Sequence, residues 1–159
     1  MGRIVVRDAR AEDVDVVSQM VARLKRLNEE LDPHFRVVDN LEEEARRYVE
    51  EAIGSDRVFV LVAEDSDGGV VGVIIVRLVD RIFYEPRLKA LITDLYVKPS
   101  YRRKRVGALL VDQAIKRAES LGAGIVSAVY PANNAIAENF YESRGFSVLQ
   151  VERYKPVHG

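Results

Sequence analysis

Apolar and polar residues repeat along this chain with two periods, one of about two residues and one of about three and a half. Arg3-Ile4-Val5-Val6-Arg7 reads as a strand, and Val14, Val17, Val21, Leu24 and Leu31 then recur at helical spacing through a charged stretch. Asp32-Pro33-His34-Phe35 breaks that run. A second helix is predicted over Leu41 to Ile53, because Ala45, Tyr48, Val49 and Ile53 share one face and Gly54-Ser55-Asp56 stops it. Arg57 to Glu64 and Val70 to Val79 are β-branched-rich strands, joined by the turn-forming run Asp65-Ser66-Asp67-Gly68-Gly69. Leu88 to Val97 predicts another strand, ended by Lys98-Pro99. Val106, Leu110, Ala114, Ala118 and Leu121 trace the apolar stripe of a helix closed by Gly122. Gly124 to Tyr130 predicts a strand, Asn134 to Arg144 a short helix stopped by Gly145, and Phe146 to Tyr154 a last strand.

A strand-helix-helix start, an antiparallel meander and a strand-helix-strand finish imply a mixed sheet with helices on both faces. The 159 residues fit one domain, 1–159, with one active site. With 48% hydrophobic and 31% charged residues and a net charge of −1, the chain has no overall basicity to bind nucleic acid or anionic membrane. It lacks cysteine, which excludes disulfides, thiolate metal sites and a cysteine acyl-enzyme. His34 and His158 lie far apart, so neither a histidine metal cluster nor a Ser-His-Asp triad is expected. No apolar run has membrane-spanning length and the start shows no secretory pattern, so a cytoplasmic location is expected.

The chemistry concentrates in Asp94-Leu95-Tyr96-Val97-Lys98-Pro99-Ser100-Tyr101-Arg102-Arg103-Lys104-Arg105-Val106-Gly107-Ala108, a strand, a basic turn and a helix start. A helix N-terminus offers unpaired amides and the positive end of the helix dipole, which suits a phosphate, and Gly107 leaves room for close approach. The alternatives are a solvated cationic turn and, with less support, a polyanion patch.

This segment resembles the acetyl-CoA signature of the GNAT family of N-acetyltransferases, Gln/Arg-x-x-Gly-x-Gly/Ala. Arg102 stands at its first position and Gly107 at its last, while Arg105 replaces the usual first glycine. Either the backbone at Arg105 needs no positive φ or cofactor affinity is altered; the first is the expectation. Arg7-Asp8-Ala9 with Asp13 is similar to the family's opening. The stretch from Asn134 through Ala137, Tyr141 and Glu142 to Gly145-Phe146 is similar to its Asn-x-x-Ala-x-x-x-Tyr-Glu-x-x-Gly-Phe. Helical spacing puts Asn134, Ala137 and Tyr141 on one stripe along which a ligand could lie, with Ile136 and Phe140 anchoring the neighbouring face on the sheet.

The resemblance implies an α/β fold with a mixed, largely antiparallel sheet of six to seven strands flanked by helices, and transfer of an acetyl group from acetyl-CoA to an amine. The pantetheine arm would pair with Leu95, Tyr96 and Val97, the pyrophosphate would meet the turn from Arg102 to Ala108 with Asn134 nearby, and Tyr141 would protonate the leaving thiolate. Asp94 is the carboxylate on that strand, as base, as relay, or as a structural aspartate beside a water-mediated route. Thr93-Asp94-Leu95-Tyr96-Val97 is similar to the strand of diamine and polyamine acetyltransferases, except that Thr93 replaces their glutamate. Glu29 and Glu30, in the substrate-shaping region between the first two helices, would suit a cationic amine, or form an ordinary helix end. The acceptor is then a small amine or polyamine, or a protein α-amine or lysine, and a homodimer is implied. Readings outside catalysis are a regulatory acyl-CoA-binding module and a plain phosphate-binding domain.

Overall fold

The structure, a computed structural model, describes residues 2 to 158. Five strands, β1 (Ile4–Asp8), β2 (Val58–Asp65), β3 (Gly69–Asp80), β4 (Leu88–Val97) and β5 (Ile125–Ala128), lie in sequence order across one sheet. The first four are antiparallel and β5 runs parallel to β4. The helices are α1 (Val14–Leu31), α2 (Leu41–Gly54), α3 (Val106–Ser120) and α4 (Ala135–Ser143). A parallel pair requires a crossover, and α3 supplies it between β4 and β5.

Both faces of the sheet are covered, which explains why β2 and β3 read as continuous apolar runs rather than alternating ones. Val17, Val21 and Val49 from α1 and α2 pack on Val62, Val73 and Ile75. On the opposite face Leu110, Val111 and Ala114 of α3 pack on Ile74, Val76 and Ile92. The entry into α1 is fixed by Arg7, whose guanidinium grips both carboxylate oxygens of Asp13 at 2.7 and 3.0 Å and also reaches Glu64. The same Asp13 accepts the Arg10 amide at 2.7 Å, so the Arg7-Asp8-Ala9 opening orients a helix and does no chemistry.

Two expectations are corrected. The strand predicted over Phe146 to Tyr154 does not form, and the sheet has five strands rather than six or seven. Phe146 packs into the α3-side core, but from Ser147 onward the backbone finds no hydrogen-bonding edge among the described residues, and a strand without a ladder is not a strand. Ile136 does not anchor α4, being 85% exposed; Phe140 and Tyr141 do that packing instead.

Candidate active site

β4 and β5 pair only from Lys89 with Ile125 to Ile92 with Ala128, plus one further bond from the Val129 amide to the Ile92 carbonyl at 3.1 Å. Beyond that point the strands part. The cause lies in β4: Ile75 of β3 faces Asp94 while Val76 faces Ile92, so Thr93 is an extra residue, and such a bulge bends and twists its strand. The edge of β4 from Asp94 to Val97 that would face β5 is left without a strand partner, which places the backbone of Leu95, Tyr96 and Val97 along an open wedge.

The bulge also decides where Asp94 points. Strict alternation from Ala90 and Ile92, which pack under α3, would send Asp94 the same way. The extra residue reverses the phase, so Asp94 and Tyr96 lie on the α1–α2 side while Leu95 and Val97 pack toward α3. Asp94 is only 2% exposed. Lys25 of α1 donates to Oδ1 at 2.7 Å, Thr93 Oγ1 donates to Oδ2 at 2.8 Å, and the Tyr48 hydroxyl of α2 makes a short bond to the same oxygen. Burial pushes the Tyr48 hydroxyl pKa up and the neighbouring Asp94 charge pushes it further, so Tyr48 remains a donor. The Asp94 carboxylate thus accepts from a lysine and two hydroxyls, with one of its oxygens shared between Thr93 and Tyr48.

Tyr141 stands on the α3 side of the wedge, in the cluster that contains Ile92, Val106 and Leu110, with Leu95 and Val97 packed against it. Its ring stacks on Tyr130 just past β5 at 5.6 Å and meets Phe140 and Phe146 edge-on at 5.1 and 5.2 Å. The residue is 6% exposed, yet its hydroxyl makes no hydrogen bond to another described residue. Burial raises its pKa well above that of a free tyrosine, with smaller contributions from Tyr130 and from the charge of Asp94. A group that keeps its proton and has no internal partner can donate to something brought into the wedge.

The turn before α3 is built on two left-handed residues, Arg103 and Arg105, each at φ 64°. The expectation that position 105 needs no positive φ is therefore overturned. The family's glycine meets a conformational demand that persists here, and Arg105 meets it under strain of about 1 kcal/mol. The winding leaves the amides of Arg103, Lys104, Arg105, Val106, Gly107 and Ala108 with no acceptor among the described residues, at the positive end of α3. Gly107 has an ordinary backbone, and a Cβ there would meet only Phe140 at 3.6 Å and Val97 at 3.8 Å, which is normal contact. Neither conformation nor protein packing demands glycine at 107. Unpaired amides at a helix terminus fit the pyrophosphate of acetyl-CoA.

Other predicted residues are placed less directly. Arg102 folds back, its Nε donating to the Val97 carbonyl at 3.0 Å and its guanidinium 5.4 Å above the Tyr96 ring. Lys104 lies over Tyr101 at 5.5 Å, and Arg103 and Arg105 point into solvent. Asn134 is the N-cap of α4 rather than part of its stripe: its Oδ1 accepts the Ala137 amide at 3.0 Å, as capping asparagines do. Glu29 accepts the Val37 amide at 2.9 Å and so latches the segment after α1, while Glu30 is exposed.

Lys25 and Tyr130 were not singled out from the sequence. Lys25 had a signal: it follows Val21 by four residues, so a lysine continues the apolar stripe of α1, where its half-exposed side chain can reach an anion on the sheet. Tyr48 was read as core only, and Tyr130 carried no distinguishing pattern. A surface cavity of about 580 Å³ between β1 and α3, lined by Arg10, Lys116 and Arg117 among others, shares no residue with the wedge.

A bulge-split pair of parallel strands with free amides at the following helix defines an acyl-CoA-using transferase fold. The sequence profile of the Acetyltransferase (GNAT) family matches residues 24 to 146. The chain belongs to this family, N-acetyltransferases that take the acetyl group from acetyl-CoA. No curated protein matches it. Among solved structures it is similar to a transcriptional regulator from Bacillus halodurans C-125, at 22% identity and TM-score 0.78, covering 97% of this chain and 99% of that one. It is also similar to a predicted acetyltransferase with acetyl-CoA from Clostridium acetobutylicum, at 14% identity and TM-score 0.75 over 98% and 96%. The aminoglycoside N-acetyltransferase AAC(6')-Iy in complex with CoA is similar at 15% identity and TM-score 0.73 over 99% and 97%. No described helix is long and apolar enough to cross a membrane.

Proposed function

We propose that this chain acetylates a primary amine of a small cationic molecule, a small amine or polyamine, acting as a homodimer of single-domain subunits in the cytoplasm. The observation that carries the acceptor class is Asp94, a buried carboxylate on the α1–α2 side of the wedge that already binds an ammonium group, Lys25 Nζ, at 2.7 Å. An acceptor arriving as an ammonium ion can share or take that place. Two of its structural neighbours are aminoglycoside N-acetyltransferases, which is compatible with an amine acceptor.

In this reading the pantetheine arm lies along Leu95, Tyr96 and Val97, and the pyrophosphate takes the amides from Arg103 to Ala108. Arg102 closes the base of the wedge through Val97. The deprotonated amine attacks the thioester carbonyl, the oxygen draws on strand amides as charge develops, and the C–S bond breaks as Tyr141 hands its proton to the sulfur. Asp94 and Lys25 hold the acceptor and relay its proton outward. The test combines two measurements. CoA and acetyl-CoA should raise the melting temperature where ATP and NAD at equal concentration do not. Thiol release should then follow addition of diamines, polyamines or aminoglycosides. Release with peptide amines alone would replace the small-amine reading by the protein-acetylating one. CoA binding with no release across the panel would remove the proposed acceptor class.

A further inference from the structure

Four polar or charged residues are buried among the described ones: Asp13, Ser18, Asp65 and Asp94. Asp13 orients α1, Asp94 lies in the wedge, and the Ser18 hydroxyl donates to the Asp15 carbonyl of its own helix. Asp65, at the end of β2 and 1% exposed, has no part in the site described so far. A carboxylate is costly to bury unless its oxygens are filled, and those of Asp65 divide the task. Oδ1 accepts the amides of Gly2 at 2.8 Å and Asp67 at 3.1 Å, bonds that shape the β2–β3 turn. Oδ2 takes a short bond from the hydroxyl of Tyr101, 36 residues away in the turn before α3. The β2–β3 turn is closed on that hydroxyl, since a Cβ on Gly68 would come within 2.5 Å of it.

The turn that follows Tyr101 has little of its own to hold its shape. Arg102, Arg103, Lys104 and Arg105 are four cations in succession, Arg103 and Arg105 are left-handed, and the amides from Arg103 to Ala108 have no acceptor among the described residues. Strained backbone of this kind persists only where the surroundings fix it. Arg102 provides one anchor by donating to the Val97 carbonyl at 3.0 Å. Tyr101 provides another: its ring packs against the α3-side core, Asp65 holds its hydroxyl, and Lys104 lies 5.5 Å above its ring centre. We propose that Asp65 and Tyr101 are positioning residues for the cofactor: the buried carboxylate, through the Tyr101 hydroxyl, keeps the turn from Arg102 to Arg105 in the shape that presents its free amides to the pyrophosphate. Neither residue acts on the reacting atoms. Their contribution is preorganisation, because a turn already held need not be ordered by the ligand. The inference rests on the pyrophosphate placement proposed above.

Tyr101→Phe keeps the ring and removes only the hydroxyl. It should raise the Kd for CoA, measured by calorimetry, by about tenfold. Hydrogen exchange of the amides from Arg103 to Ala108 should quicken in the free variant, while exchange in β2 and β3 stays as in the native protein. Asp65→Asn keeps an oxygen for the two amides but offers Tyr101 a neutral partner, so its Kd should rise less. With the hydroxyl gone, the side chain at position 65 no longer acts on the turn, and the double variant should bind CoA as Tyr101→Phe does. Native affinity in Tyr101→Phe, exchange that quickens throughout the sheet rather than in the turn, or additive losses in the double variant would each overturn the positioning role. The native protein separates this inference from the placement beneath it, because bound CoA should slow exchange of the amides from Arg103 to Ala108. Without that protection the pyrophosphate placement fails and the inference fails with it. With protection present and the variants unaffected, the placement stands and the inference alone is overturned.

Discussion

Replacing Tyr141 by phenylalanine separates chemistry from packing more cleanly than any other single change in this molecule. The hydroxyl has no hydrogen-bond partner among the described residues, so its loss strands no other group. The contacts of the ring with Tyr130, Phe140 and Phe146 at 5.6, 5.1 and 5.2 Å are all kept. Stability should therefore move by no more than about 0.5 kcal/mol, a melting shift of roughly 2 °C or less for a chain of this size. Turnover should fall by about 10²- to 10³-fold, equivalent to roughly 3–4 kcal/mol of barrier, if the hydroxyl protonates the thiolate. CoA affinity, set by backbone amides elsewhere, should stay within about twofold. The pH profile adds a second check. Because burial raises the Tyr141 pKa, the acid stays protonated across neutral and mildly alkaline pH, and no decline of activity up to about pH 9 should belong to it. Steady-state thiol release and CoA titration on one preparation decide the matter. A variant with more than half of native turnover, or one whose loss of rate tracks a loss of stability, would refute the acid role.

Arg105→Gly should raise stability by roughly 0.5–1 kcal/mol, about 1–3 °C, by relieving a left-handed arginine at φ 64°, while CoA affinity changes less than about tenfold; a lower melting temperature would show that the side chain, not the backbone, matters there. Asp13→Asn should cost about 2–3 kcal/mol at neutral pH, since it breaks a nearly buried bidentate pair with Arg7. Arg7 holds the Asp13 pKa below its ordinary value, so this stability is present above about pH 4 and lost as pH falls below it. The gap between urea melts of native and variant protein should then narrow steadily as pH falls below about 4, and a gap that stays constant as the pH is lowered would refute the electrostatic origin. Asp94→Asn should raise the amine KM at least about tenfold and leave the CoA thermal shift unchanged; an unchanged KM would remove Asp94 from the acceptor site.

Much of the fold was legible because periodicity reports burial directly. α1 runs from Val14 to Leu31 and β4 from Leu88 to Val97, the limits that the apolar pattern suggested. Where reading failed, the missing information was not local. Phe146 to Tyr154 has the composition of a strand, but a strand also needs an edge, and no pattern within the segment says whether one is free. Ile136 has an apolar side chain at a helical position, yet a nine-residue helix at the rim of the sheet covers too little surface to bury both of its faces. Arg105 concealed its conformation because an arginine normally advertises no positive φ. In the site itself, the amides before α3 followed from the strand-turn-helix order and Tyr141 from the family resemblance, whereas the ion pair of Lys25 with Asp94 joins residues 69 positions apart and appears only when α1 lies over β4.

The single extra residue Thr93 links these observations. Were Thr93 a regular ladder residue rather than bulged, β4 would stay in phase from Ala90 to Val97, Asp94 would be driven under α3 among Val106 and Leu110, and a carboxylate there would have no cation to meet. With the bulge, β4 turns its next residues over, and three consequences follow together. The strand bends away from β5, which opens the backbone of Leu95 to Val97. Asp94 swings to the α1–α2 layer, where Lys25 and Tyr48 donate to it. The α3 side is left to Leu95, Val97 and Tyr141, an apolar lining suited to a thioester and its acid. One inserted position thus puts the buried carboxylate on one face of the wedge and Tyr141 on the other, and Thr93 secures it by donating either to the Ile75 carbonyl at 3.3 Å or to Asp94 at 2.8 Å. Deleting Thr93 should restore the ladder, close the wedge and abolish CoA binding, whereas Thr93→Val, which keeps the inserted residue and removes only the hydroxyl, should preserve CoA binding and weaken the amine KM alone. Loss of CoA binding in both variants would place the determinant in the side chain and contradict the phase argument.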